Sequence, residues 1–320
     1  MAVGCAAPLE RFEFRERQMG TEARIVLYAQ SRERAEDAAR AAFARIAALD
    51  AVLSDYRNES ELVTALLKGK EVPLPLSDDL FTVLRASLAL SEETKGAFDV
   101  TVGVLTGHTV NARYTRDPRT GVVREMPGCA VLRRVGWKSV ELDTTARTVT
   151  FKQGGMRIDL GGIAKGYAAD EALEVLRAHK VDRALVSIGG DLVAGRAPPD
   201  ADGWRIEVAN ADTAHATMVI ANQAVSTSGD TEQHVDSGGV RYSHVIDPRT
   251  GVPLTSRVAA TVLAPTGVEA DGWSTAVTVL RDSARARFIA AHPEATFYVR
   301  TITSGPAPAR PPPAQCVIAE

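Results

Sequence analysis

A glycine-rich stretch between Asp159 and Tyr167, DLGGIAKGY, combines features that suit a phosphate. A strand is predicted to end at Asp159, after which Gly161 and Gly162 turn the chain into a helix. Glycines let the backbone approach a ligand closely. The N-terminus of a helix presents free N–H groups and a partial positive charge, and Lys165 adds a full charge one turn later. A plain strand-to-helix turn with a surface lysine fits the same spacing, so both interpretations stay open.

A second stretch, residues 270–276, places Asp271 and Thr275 four residues apart. On a helix, residues at this spacing share one face. A carboxylate and a hydroxyl are hard oxygen ligands of the kind that magnesium accepts together with water and substrate phosphates. The alternative is that Asp271 caps the helix and Thr275 lies on its surface.

A third region consists of residues 226–230 and 241–251, which carry many hydrogen-bonding side chains with little apolar mass between them. His244 is a candidate base near neutral pH. Arg249 is a candidate partner for a phosphate. A polar loop that ends in the turn-forming sequence DPRTG, with a structural histidine, is the alternative.

Two further stretches carry little information by themselves. In residues 96–103, Phe98 could stack on a ring and Asp99 could accept a hydrogen bond from a ring N–H. In residues 54–62, Tyr56 is predicted to be an exposed aromatic side chain in a loop that follows the first helix.

These stretches must be positioned by a mixture of strands and helices. Apolar periodicity predicts a strand at 23–29 and a helix at 34–53, and Ser77 is a predicted N-cap of a second helix. Further strands are predicted at 138–143, 147–152, 156–160, 184–189, 204–209, 216–221, 258–264 and 296–302, and further helices at 161–179, 268–280 and 282–291. Residues 107–128 are predicted to be an irregular insertion and residues 224–256 to be rich in loops. The regular βαβ rhythm is missing, which favours a mixed α/β (α+β) fold over a doubly wound one.

Composition narrows the class of protein. Apolar residues make up 45% and charged residues 24% of the 320-residue chain, which is typical of globular proteins, and the net charge of −3 argues against nucleic acid as a main partner. The sequence contains no run of about 18 apolar residues, so no transmembrane helix is predicted. The sequence before Cys5, Ala2-Val3-Gly4, is similar to the end of a bacterial lipoprotein cleavage site. A lipid anchor at Cys5 and an ordinary flexible N-terminus are both open.

All of these stretches, taken in order, resemble the ApbE family, the FAD:protein FMN transferases once described as thiamine-biosynthesis lipoproteins. Met19-Gly20-Thr21 and Ile188-Gly189-Gly190-Asp191 match the family as well. The resemblance extends from about Met19 to about Leu280. It implies one ApbE-type domain at 19–303, with FAD between its two halves, preceded by a tail or edge strand at 1–18 and followed by a Pro-rich tail at 304–320.

The resemblance also implies a set of site residues. The positions that match FAD-contacting residues of the family are Met19, Tyr56, Ala97, Phe98, Asp99, Asp159, Lys165 and Val245. The positions that match its magnesium ligands are Asp271, Thr275 and the backbone carbonyl of Gly162.

The implied activity is the transfer of FMN from FAD to a Thr or Ser hydroxyl of an acceptor protein, a subunit of a bacterial redox complex, with release of AMP. Asp271, through the metal, and His244, as the base, are the predicted catalytic residues, and Asp247 is the alternative base. An FAD pyrophosphatase that gives FMN and AMP and a non-enzymatic FAD-binding protein are the alternative functions. The family favours the periplasmic side of the inner membrane, with the cytoplasm as the alternative.

Two segments depart from the family pattern. The sequence Val104-Leu105 replaces the usual Pro-Leu, and no Trp-Gly or Trp-Arg element follows at once. Between the proposed metal ligands, Gly272 and Trp273 replace the usual small and aliphatic residues. We expect Trp273 to change the packing near the metal and thereby the fit of the acceptor.

Overall fold

The computed structural model describes residues 8–106, 129–208, 217–229, 234–237 and 240–301. The expectations for the 107–128 insertion, for the Pro-rich tail at 304–320 and for a lipid anchor at Cys5 therefore lie outside the described residues. Within the described part of the chain, no helix has both the length and the apolar character that a membrane crossing requires.

Helices and short strands are interleaved along the chain, as the sequence predicts for a mixed α/β fold. The helices are α1 Arg32–Leu53, α2 Glu61–Lys68, α3 Asp78–Glu93, α4 Gly103–Thr106, α5 Cys129–Leu132, α6 Ala164–Ala178, α7 Gly267–Val279 and α8 Asp282–Ala291. The strands are β1 Glu10–Gln18, β2 Thr21–Ala29, β3 Leu74–Pro75, β4 Val140–Asp143, β5 Thr148–Phe151, β6 Ala184–Ile188, β7 Asp191–Ala194, β8 Trp204–Glu207, β9 Thr217–Ile220, β10 Gln223–Ser228, β11 His234–Ser237, β12 Val240–Ser243, β13 Ile246–Asp247, β14 Val252–Pro253, β15 Val258–Ala264 and β16 Thr296–Thr301.

The largest sheet has seven strands in the order β1-β2-β6-β7-β10-β15-β16. The pairs from β1 to β10 are antiparallel. In β2, Ala23, Ile25 and Leu27 are fully buried. They lie on one face of the sheet, since alternate residues of a strand point to the same side. β1 lies at the edge of this sheet, so the edge-strand alternative for the N-terminal segment is the correct one.

The chain forms two compact units. The first comprises the described residues within 1–50, 165–226 and 263–270. Here α1 and α6 are joined by Arg45, whose Nη2 and Nε lie 2.5 and 3.1 Å from Glu171 Oε2. Both helices bury small side chains at helical spacing, among them Ala38 and Ala42 in α1 and Ala168 and Ala172 in α6.

The second unit comprises the described residues within 51–164, 227–262 and 271–320. Its helix α3 begins where the sequence predicts, because Ser77 Oγ accepts a hydrogen bond from Leu80 N at 3.3 Å. The end of α3 leads directly into residues 96–99, since Thr94 Oγ1 accepts from Phe98 N at 3.0 Å. A small apolar cluster underlies this region and consists of Val104, Leu105, Leu132, Val135 and Ile246.

One predicted strand is wrong. Residues 156–160 alternate apolar and polar side chains like a strand, but the structure has only an isolated bridge between Arg157 and Val102. Next to this bridge, Asp159 N donates to Val100 O, and the chain turns only at residues 161–163, where the Asp159 carboxylate accepts from Gly161 N. The region predicted to be rich in loops, 224–256, also contains the short strands β10 to β14.

Candidate functional site

The three proposed metal ligands lie in the second unit, on the turn before α6 and on α7. A Cβ atom built on Gly162 would lie 3.0 Å from Thr275 Oγ1 and 3.4 Å from Phe98 Cε2. The backbone of Gly162 is therefore in close contact with the Thr275 hydroxyl. Asp271 lies one helical turn before Thr275 and is only 3% exposed. Both residues lie on α7, where a spacing of four places them on one face of the helix, and Phe98 lies beside Gly162.

This donor set is chemically suited to magnesium. Among the described residues there is no cluster of three or more His, Cys, Asp or Glu side chains that would hold a metal. A carboxylate, a hydroxyl and a backbone carbonyl are nonetheless all oxygen donors, and Mg²⁺ commonly takes only one or two protein carboxylates while water and substrate phosphates complete its shell. The buried carboxylate of Asp271 also belongs to a class of group that needs compensating charge or hydrogen bonds.

Asp99 braces the loop that carries Phe98. Its Oδ1 accepts from Thr101 N at 2.8 Å and from Thr101 Oγ1 at 2.6 Å, and its Oδ2 accepts from Trp137 N at 3.0 Å. Burial raises the pKa of Asp99, although these hydrogen bonds act in the opposite direction. Hydrogen bonds from the described residues thus occupy about three of the four acceptor positions of this carboxylate.

Asp159 organises the glycine-rich turn. Its Oδ1 accepts from Gly161 N at 2.8 Å and its Oδ2 from Thr106 Oγ1 at 2.5 Å. Burial raises the pKa of the Tyr56 hydroxyl, and the negative charges of Asp55 and Asp159 raise it further. Tyr56 is 69% exposed, as predicted, and part of the negative charge that acts on its hydroxyl is that of the Asp159 carboxylate. The charge of Asp159 therefore acts on Tyr56 although 103 positions separate the two residues in sequence.

The polar loop at 241–251 holds an arginine in a fixed orientation. Arg249 Nε and Nη2 each donate to one oxygen of the Asp247 carboxylate at 2.8 Å, and Asp247 is buried. The hydrogen bonds that Arg249 donates to Asp247 raise the pKa of its guanidinium group. Both oxygens of the Asp247 carboxylate are thereby occupied by the Arg249 side chain. His244 is exposed, and Val245 next to it is half-buried with its N–H donated to Ser243 Oγ at 3.0 Å. Of the two candidate bases, the geometry favours His244.

Two of the predicted FAD contacts, Met19 and Lys165, belong to the first unit. Met19 lies in the turn between β1 and β2, where it has a φ of 50° and the following Gly20 a φ of 72°. Two consecutive positive φ angles are typical of a tight hairpin turn. Lys165 Nζ lies 2.9 Å from Asp191 Oδ2, in an ion pair whose angles are not those of a hydrogen bond.

Sequence reasoning missed the side chains that support Lys165. Asp191 is 5% exposed, and its Oδ1 accepts from Ser226 Oγ at 2.5 Å. Both residues lie in stretches that match the family, but no local pattern links a carboxylate to a lysine 26 positions earlier. Lys165 therefore forms an ion pair with a buried carboxylate that a second side chain holds in place.

The expectation for Trp273 is wrong. The indole packs against the rings of Phe288, His292 and Phe297, with centroids 6.3, 4.3 and 6.1 Å away. Trp273 is two residues from Asp271 and from Thr275, so it points to the opposite side of α7. Trp273 therefore packs against α8 and β16, away from the side of α7 that carries Asp271 and Thr275.

The sequence of the chain is similar to that of known proteins. The sequence profile of the ApbE family matches residues 19–299. An FAD:protein FMN transferase of Klebsiella pneumoniae (strain 342) is 31% identical over 272 residues, which are 82% of this chain and 76% of the relative. The FAD:protein FMN transferase of Treponema pallidum (strain Nichols) is 29% identical over 87% of this chain and 81% of its own length.

Solved structures give the same result. The apo form of the flavinyl transferase ApbE from Pseudomonas stutzeri superposes with a TM-score of 0.78 at 27% identity, over 95% of both chains. The ApbE protein from Thermotoga maritima has a TM-score of 0.78 at 27% identity, over 92% of this chain and 98% of its own. The mixed α/β fold and the family resemblance are thereby confirmed: this chain belongs to the ApbE family.

Proposed function

We infer that the chain is an FAD:protein FMN transferase, which attaches FMN from FAD to a Thr or Ser hydroxyl of an acceptor protein and releases AMP. Relatives that carry this activity in their names match most of the chain. The structural observation that carries the proposal is the close contact of the Gly162 backbone with Thr275 and Phe98, with the buried Asp271 one turn away. This arrangement supports a site for a metal and a ring system side by side.

We further propose that the residues Gly162, Asp271 and Thr275 hold magnesium through one carbonyl, one carboxylate and one hydroxyl oxygen. When bound, the ion would neutralise the charge of the FAD pyrophosphate and stabilise the charge that develops in phosphoryl transfer. Phe98 and the loop braced by Asp99 support a flavin ring in this proposal. Lys165 supplies a positive charge at the start of α6, where the N-terminus of the helix also favours a phosphate.

The reaction is a displacement at phosphorus. The acceptor hydroxyl oxygen forms a bond to the FMN-side phosphorus of FAD, the bond between that phosphorus and the bridging oxygen breaks, and AMP leaves with the bridging oxygen. The hydroxyl proton goes to His244. A neutral hydroxyl is a weak nucleophile and needs a base, and an imidazole is the side chain most often used as a general base.

A co-incubation of the purified chain with FAD, magnesium chloride and a flavin-accepting domain of a bacterial redox complex tests the proposal. We expect flavin fluorescence on the denatured acceptor band and an equal amount of free AMP. An acceptor in which the modified Thr or Ser is replaced by Ala serves as the control. AMP release without labelling, at the same rate with both acceptors, would indicate the pyrophosphatase. Bound FAD without AMP would indicate a flavin-binding protein that is not an enzyme.

The short sequence before Cys5 supports a proposal for the location of the protein. We propose that it works on the periplasmic side of the inner membrane, held by lipid on Cys5. Labelling of cells with a radioactive fatty acid should mark the wild-type protein, and the Cys5→Ser variant should lose both the label and its membrane association. An unlabelled wild-type protein in the cytoplasmic fraction would contradict the proposal.

A further inference from the structure

The N-terminal end of α7 is capped by an aspartate from another helix. Asp170, on α6, accepts from Gly267 N at 2.7 Å with its Oδ1 and from Val268 N at 3.0 Å with its Oδ2. The first N–H groups of a helix have no partner within the helix. A carboxylate that accepts from two of them also complements the positive end of the helix dipole.

The same end carries a capping box. Thr266 Oγ1 accepts from Glu269 N at 3.3 Å, and Glu269 Oε2 accepts from Thr266 N at 3.2 Å. These reciprocal bonds are the expected ones for a Thr-x-x-Glu start. Asp170 does not belong to this capping box, because it lies 97 positions before Gly267 in sequence. It ties the start of α7 to α6.

α6 and α7 also approach each other closely at this point. A Cβ atom on Gly267 would lie only 2.3 Å from the carbonyl oxygen of Gly166 and 2.8 Å from Val193 Cγ2. Only glycine allows this separation, so the position of the first residue of α7 is fixed by backbone contact as well as by the Asp170 hydrogen bonds.

The C-terminal end of α7 is held by a positive charge. Arg285, on α8, donates from Nε to Val277 O at 2.7 Å and from Nη2 to Leu280 O at 2.5 Å. The last carbonyl groups of a helix lack intrahelical donors, and a cation there complements the negative end of the dipole. Asp271 and Thr275 lie between the two capped ends, within three residues of Val268 and two of Val277 respectively.

We propose that Asp170 and Arg285 are positioning residues for magnesium, because together they fix α7 so that Asp271 and Thr275 face the Gly162 carbonyl. The inference rests on the proposed function, since it needs the metal site. Neither side chain touches the metal or the substrate in this proposal. Mg²⁺ requires nearly ideal octahedral geometry at about 2.0–2.1 Å, so a small displacement of the helix that carries two ligands weakens binding.

The test measures metal binding directly, with Mn²⁺ as the probe. The free-ion electron paramagnetic resonance signal of Mn²⁺ decreases as the full chain binds it, which gives a dissociation constant without any turnover. We expect Asp170→Asn and Arg285→Met each to raise this constant about 10- to 100-fold, the usual effect of losing a group that orients metal ligands. Arg285→Lys keeps the charge but loses the two-pronged geometry, and it should give an intermediate value.

Ser77→Ala is the matched control. This variant also removes a side chain that accepts a hydrogen bond at a helix N-terminus, but in α3, where Ser77 Oγ accepts from Leu80 N. It should lower the melting temperature by about 2 °C, as loss of a cap does in a chain of this size, and leave the Mn²⁺ constant unchanged. A second control, Arg287→Met, removes an exposed arginine of α8 and should change neither quantity.

The possible outcomes separate the inference from the proposed function. Wild-type Mn²⁺ affinity in both Asp170→Asn and Arg285→Met, with loss of binding in Asp271→Asn, would overturn the inference and leave the metal site in place. Equal affinity in wild type and Asp271→Asn would overturn the metal site itself. An equal loss of affinity in Ser77→Ala would show that the effect is general destabilisation and would also overturn the inference.

Discussion

Replacement of Gly162 by alanine adds a single methyl group beside the proposed metal ligands. The new Cβ would lie 3.0 Å from Thr275 Oγ1, 3.3 Å from Thr275 Cγ2 and 3.4 Å from Phe98 Cε2. The φ of Gly162 is outside the left-handed region, so alanine adopts the backbone conformation without strain. The change therefore acts through the side chains in contact and not through the backbone.

The size of the effect follows from these distances. Non-bonded carbon atoms prefer a separation of about 3.5–4.0 Å, so Thr275 must move away by roughly 0.5 Å. Metal–ligand distances tolerate deviations of only about 0.2 Å. We expect the magnesium concentration for half-maximal AMP release to rise about 10- to 100-fold, with an overpacking cost of about 1–3 kcal/mol in the free energy of unfolding.

The assay is AMP release at saturating FAD as a function of magnesium concentration, with the melting temperature measured in parallel. Gly154→Ala is the matched control, since its Cβ would lie 3.1 Å from Cε of Lys70, the end of a flexible side chain that can move away. It should leave the magnesium dependence unchanged. A Gly162→Ala protein with wild-type magnesium dependence would show that the Gly162–Thr275 contact is not part of the metal site.

Three further changes test the catalytic and electrostatic assignments. Asp271→Ala removes the only carboxylate of the proposed metal ligands and should lower AMP release at limiting magnesium by at least about 100-fold; wild-type turnover there would refute the assignment. His244→Ala should lower kcat by about 10²–10⁴ with little change in melting temperature, because the side chain is exposed, and an unchanged kcat would exclude it as the base. Burial raises the pKa of Asp170 from 3.8 to about 6, so the folded state binds this proton more tightly than the unfolded state does. The free energy of unfolding should therefore fall by up to about 3 kcal/mol as pH rises from about 4 to about 6, and in urea titrations Asp170→Asn should lack this contribution.

Local sequence patterns were sufficient for most of the secondary structure. The strand predicted at 258–264 and the helix predicted at 282–291 have the observed bounds. The N-cap at Ser77 was recognised because capping depends on a side chain and a backbone N–H three residues apart. Such features are encoded within one or two turns of the chain, and the family resemblance drew on the same short stretches.

Local patterns failed where a tertiary contact overrides them. Residues 156–160 have the alternation of a strand, but within them only Arg157 forms a β-bridge, and the Asp159 carboxylate instead accepts hydrogen bonds from Gly161 N and the Thr106 hydroxyl. Trp273 lies between Asp271 and Thr275, the two proposed metal ligands, in sequence, but it packs against the ring of His292. In both cases the sequence pattern shows which side chains are apolar and which are polar. It does not show which neighbouring residue each side chain contacts in the fold.

The sequence by itself determined the family, the mixed α/β class and the identity of the candidate site residues, because these follow from residue types in a fixed order. Only the tertiary structure decided which side chains support them: Asp191 and Ser226 behind Lys165, and Asp170 and Arg285 at the ends of α7. The physical reason is distance along the chain. A buried carboxylate needs a donor or a cation from whichever element packs against it, and packing partners far apart in sequence leave no periodic pattern in either segment.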